Sequence, residues 1–191
     1  MLEKEKYIKV NEIRVNKTSE FIVQISLLVG IPLLGILLYF LVIRPYYIDR
    51  MIAWYYQLII GIIIYVLNCV VHELIHGLFY KLFNPDKKVT FKFAIFGSAT
   101  SMEKAEFSKI EFIIVLLAPM LFLTIFYLVL AFLIPKCFGV FFITSFIGFA
   151  SGNNDLLVAL KSMRMAKRKD IIIDGGKYFE VYRKKEPELN K

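Results

Sequence analysis

The sequence predicts an all-α integral membrane bundle of four transmembrane helices, with a small β-hairpin-like insert and a short β-hairpin tail. Three observations carry that prediction. Of the 191 residues, 58% are hydrophobic, above the roughly 45–50% of soluble domains. The apolar residues gather in long runs. The charged residues fall between those runs, where they meet water and headgroups. A chain of this length supplies one domain or one small bundle.

Residues 1–20 form a charged N-terminal arm, in which "YIKVNEIRV" alternates weakly and suits a short strand or a disordered arm. The first span, 21–43, carries no charge and matches the roughly 20 residues a helix needs to cross a bilayer. Pro32 and Gly35 predict a kink in it. "RPYYIDR", 44–50, sets tyrosines at the interface. The second span, about 52–82, is longer than a bilayer requires, so it tilts or protrudes. In the insert that follows, "VTFKFAIF" predicts a strand with Val89, Phe91, Phe93 and Ile95 on one face, and "FGSAT" a turn at Gly97. The third span is 112–134, kinked at Pro119, and the fourth about 138–160. The basic tail, 161–191, contains "DIIIDGGKYFEVY", two short strands around Asp174-Gly175-Gly176.

Lys and Arg number five in the arm, two in loop 44–50, six in 81–109, one in 135–137 and ten in the tail. That alternation predicts a multi-pass protein of the cell membrane with both termini cytoplasmic. It also accounts for the net charge of +8, so no nucleic-acid partner is expected. The small size and signal-free start favour a bacterial membrane. The two cysteines, Cys69 and Cys137, provide no disulfide framework and no paired metal site.

The chemistry lies in "NCVVHELIHGLFYKL", 68–82, which places both histidines of the chain inside an apolar run. Ionisable groups there cost about 2.5–3.5 kcal/mol each on insertion scales and mark function by default. The pattern is His-Glu-x-x-His. Residues four apart stand one helical turn above each other, so His72 and His76 can offer two nitrogens to one ion. Glu73, on the same side, can serve as general base towards a metal-held water, the arrangement of zinc metalloproteases. The expected ion is Zn2+. A catalytic site needs a third ligand, and no histidine is left. Asp155, the lone acid of the fourth span, is the foremost candidate and lies at a similar depth to His72. Glu103, Glu106 and Glu111 are further candidates. Asn68, one turn before His72, is expected to support a ligand. Asn153 and Asn154 are expected to orient a ligand or a substrate carbonyl.

"VVHELIHGLFY", the strand-like insert, "LLAPMLFL", "GNNDLLVAL" and the hairpin tail together resemble a family of small bacterial integral membrane proteins described as zincin peptidases, similar in turn to the site-2 proteases. The resemblance runs from about residue 65 to 182. It implies His72, His76 and Asp155 as zinc ligands, Glu73 as general base, and membrane-protein substrates cut within the bilayer. Where site-2 proteases carry Asn-Pro-x-x-Asp-Gly, this chain has "GNNDLL", without the proline or the glycine. The resemblance also implies that a substrate adds as a strand, for which "VTFKFAIF" offers an edge. The expected function is thus zinc-dependent intramembrane proteolysis near the cytoplasmic face. The alternative is a non-catalytic zinc-binding scaffold or regulator, its coordination closed by a fourth ligand such as Cys69 or Glu103. Metal transport is disfavoured by the lack of an internal repeat.

Overall fold

The computed structural model describes residues 6–14, 18–44, 53–92, 99–102, 104–175 and 178–185. It is mostly helical. Strand β1 (Tyr7–Ile13) leads into helix α1 (Thr18–Leu38), which continues through a π-helical turn to Ile43. Helix α2 (Trp54–Phe83) is followed by short strands β2 (Thr90–Lys92), β3 (Ala99–Ser101) and β4 (Glu106–Ser108). Helix α3 (Lys109–Leu133) then leads through a 3-10 turn to α4 (Phe138–Ser151) and α5 (Asn153–Met165). Strands β5 (Ile171–Asp174) and β6 (Phe179–Lys184) complete the order.

Among the described residues, three helical stretches, Phe21–Ile43, Tyr55–Phe83 and Lys109–Leu133, are long and apolar enough to cross a membrane. A fourth arises if Pro135–Ser151 and Asn153–Met165 count as one span. Large apolar side chains such as Leu33, Leu41, Leu78, Phe122 and Phe132 point outward, which suits lipid and not water. The fourth run is not the continuous helix expected over 138–160. It bends by 44° at a break after Ser151. There the Gly152 N–H donates to the carbonyl of Phe149, only three residues back, and the Gly152 carbonyl accepts from the Leu156 N–H at the start of the ladder of α5.

The β elements exceed expectation in one respect. The tail hairpin β5–β6 forms, and it joins β1 and β4 in a four-stranded antiparallel sheet of order β1-β6-β5-β4. Tyr7 pairs with Lys184, and Phe107 with Ile172. The arm, the end of the insert and the tail therefore lie at one end of the bundle. Beneath the sheet is the main buried cluster, which includes Ile13, Tyr80, Phe107, Phe112, Val115, Val158, Ile172 and Val181. The insert is a second, two-stranded sheet with Phe91 opposite Thr100. The strand expected over "VTFKFAIF" is described only as far as Lys92, and the expected turn at Gly97 lies outside the described residues.

Candidate metal centre

Helical pitch sets His72 and His76 on successive turns of α2, with ring centroids 4.9 Å apart and edge to face. Both are buried, as is Glu73 between them. The break at Gly152 swings the first turn of α5 against this face and brings in Asp155. Both imidazoles meet the same carboxylate oxygen. His72 Nε2 lies 3.2 Å and His76 Nε2 3.3 Å from Asp155 Oδ2. Among the described residues these three form a group able to hold a metal ion, with their ligand atoms all within 4.8 Å of one another.

The other ring nitrogens decide what occupies that gap. His76 Nδ1 is 3.0 Å from the backbone carbonyl of Val115. A carbonyl only accepts, so Nδ1 carries the proton. His72 Nδ1 is 3.4 Å from Ser151 Oγ. That hydroxyl already donates to the carbonyl of Gly148 at 2.7 Å, so it too accepts from the ring. With both Nδ1 atoms protonated, each imidazole in its neutral form turns an Nε2 lone pair towards the Asp155 carboxylate. Three acceptors facing one another in a buried site call for a cation. Two of the three ligand-to-ligand spacings fit zinc. A tetrahedron with arms of about 2.0–2.1 Å has edges of about 3.3–3.4 Å, close to both nitrogen–oxygen distances.

Residues 63–169, more than half of the chain, match the sequence profile of a family described as "Putative zincin peptidase". The chain belongs to this family. Zincins are named for zinc, which agrees with the donor set, and the matched region spans every residue of the centre. No curated protein and no solved structure gives a significant match.

In this zincin-family chain the insert reaches the glutamate. Thr100 Oγ1 on β3 donates to Glu73 Oε2 at 2.6 Å and lies 3.1 Å from the Glu73 carbonyl. Phe91 on β2 seats its ring where Gly77 has no side chain. A Cβ there would lie 2.4 Å from Phe91 Cζ, so a larger residue at 77 would push the Phe91 ring aside.

The remaining candidates are placed elsewhere. Asn68 is fully buried, and among the described residues neither its Oδ1 nor its Nδ2 has a hydrogen-bond partner. Ser151, not Asn68, contacts the His72 ring. Asn153 Nδ2 donates to the carbonyl of Gln24, and Gln24 Nε2 donates to Asn154 Oδ1, each at 2.8 Å. Both asparagines therefore stitch the start of α5 to α1. Glu111 closes the capping box of α3 with Ser108. Glu106 sits on β4, with its carboxylate 3.9 Å from Lys87 Nζ. Cys69 is not part of the three-residue group, and Glu103 lies outside the described residues. Thr100, Ser151 and the Val115 carbonyl escaped sequence reasoning, because each acts through a contact made only on folding.

Proposed function

We propose that the chain is a zinc-dependent endopeptidase that hydrolyses peptide bonds of membrane-protein substrates near the cytoplasmic face of the membrane. The observation that carries this reading is the convergence of both histidine Nε2 atoms on one Asp155 oxygen, beside a buried glutamate. His72, His76 and Asp155 would hold the ion. Bound there, zinc would supply a water acidic enough to be deprotonated near neutral pH. Glu73 takes the proton from the attacking water and returns it to the departing amine. The Thr100 hydroxyl fixes the orientation of the Glu73 carboxylate for that exchange.

The membrane setting is supported by the outward apolar faces of α1 to α3. The position of the site is supported by the sheet. Tyr80, one turn beyond His76, packs in the cluster beneath it, so the centre lies towards the end bearing the arm, the insert and the tail. These are the three lysine- and arginine-rich segments, and the positive-inside rule puts that end in the cytoplasm.

The test is zinc content of detergent-purified protein together with cleavage of a co-expressed single-span membrane reporter. About one zinc per chain is expected in the wild type, with clear loss in Asp155→Ala. Glu73→Gln is expected to keep the zinc and to lose cleavage by about 100-fold or more. Wild-type cleavage by Glu73→Gln would reject the assignment. A well-folded wild type without zinc would favour a non-catalytic scaffold or regulator.

A further inference from the structure

Helix α3 contains Pro119. In an α-helix each N–H returns to the carbonyl four residues earlier. Proline has no N–H, so the carbonyl left without that partner is Val115's. This same carbonyl receives His76 Nδ1 at 3.0 Å. Val115 and Pro119 are both buried, so water does not offer the oxygen an easy substitute. In an apolar bundle a freed carbonyl must find a donor on a neighbouring helix, and here the donor is the ring of a histidine in the candidate centre.

We infer that Pro119 is a positioning residue: it exposes the Val115 carbonyl, which fixes the His76 ring with Nδ1 protonated and Nε2 turned to the site. An imidazole that bonds through its far nitrogen is held in one tautomer and one orientation, and loss of such a partner commonly costs 10- to 100-fold in metal affinity. This inference rests on the zinc reading for its affinity consequence, but not for its tautomer consequence.

The test uses full-length protein and two readouts. The chain has only two histidines, so 15N-histidine labelling gives a two-residue spectrum in which His72→Gln assigns His76. In the metal-free wild type His76 is expected as the Nδ1–H tautomer. Pro119→Ala restores an N–H that competes for Val115. It is expected to mix or reverse the tautomer and to weaken zinc, measured by chelator competition, about 10- to 100-fold. Pro32→Ala makes the same chemical change in α1 and is expected to alter neither readout. An ester-linked alanine analogue at 119, which has neither ring nor N–H, is expected to behave as proline does. It also serves if Pro119→Ala folds poorly.

An unchanged tautomer and unchanged zinc affinity in Pro119→Ala would overturn the inference. An ester analogue that behaved like alanine would do so as well, because the ring itself would then be responsible. A wild type that shows the tautomer shift on Pro119→Ala but binds no zinc would remove the zinc reading and leave the positioning role in place.

Discussion

Thr100 lies within 2.6 Å of a Glu73 carboxylate oxygen from a strand 27 residues further along the chain. A hydrogen bond to a charged acceptor contributes about 1.5–3 kcal/mol, and here it also selects one orientation of the group proposed to move the proton. Thr100→Val keeps the shape and removes the donor. The expected result is unchanged zinc content and a kcat lower by roughly tenfold, equivalent to about 1.4 kcal/mol of barrier, with KM little altered and Thr100→Ser restoring most of the rate. Equal kcat in Thr100→Val and wild type would show that the contact does not serve the reaction. At this scale the sequence was informative where chemistry depends on local pitch. His72, Glu73 and His76 are legible because four residues make one turn, and Asp155 because it is the lone acid in an apolar run. Thr100, Ser151 and the Val115 carbonyl were not legible. Their partners lie 27, 79 and 39 residues away, and no spacing rule connects them.

The break between α4 and α5 decides whether Asp155 meets the histidines. Hydropathy reads 138–160 as one span because the run stays apolar apart from "GNND", and nothing in composition encodes a 44° bend. The bend has an identifiable seat. A Cβ on Gly152 would stand 2.7 Å from the Cβ of Met120 on α3. That atom is fixed to the α3 backbone, so a clash is relieved only by moving one helix. Gly152→Ala is expected to destabilise by about 1–3 kcal/mol through overpacking and to weaken zinc, because Asp155 is three residues on. Gly30→Ala in α1, where a new Cβ meets nothing within 4 Å, is expected to be neutral or slightly stabilising through helix propensity. Thermal unfolding and chelator competition on the two variants check both statements. Wild-type zinc affinity in Gly152→Ala would mean that this contact does not set the aspartate.

Across the whole molecule, one sheet gathers chain segments more than 170 residues apart, and so clamps the helices that carry the centre. Tyr80 of α2 donates to Asp174 of β5 at 3.1 Å. Lys109 of α3 holds the Met163 and Ala166 carbonyls at the end of α5, and Lys161 reaches the carbonyl of Arg14 beyond β1. The alternating tail hairpin was readable, but the pairing of β1 with β6 was not, since a weakly alternating arm carries no information about its distant partner. Asp170, just before β5, is buried and takes two hydrogen bonds from Arg183 of β6, at 2.7 and 2.8 Å. A third comes from the Lys167 backbone N–H at 2.8 Å. The Arg183 hydrogen bonds, above all, hold the Asp170 carboxyl below its ordinary pKa. A depressed folded pKa contributes stability that is complete above the unfolded value, about 3.9, and is lost as pH falls through the folded one. Asp170→Asn is therefore expected to cost about 1–3 kcal/mol near neutral pH. The gap from wild type should stay constant above about pH 5 and narrow below about pH 4 as the wild-type carboxyl takes up its proton. Denaturation midpoints of both proteins measured across that range test it. A gap that does not change with pH would assign the stabilisation to packing around Asp170 and not to its charge.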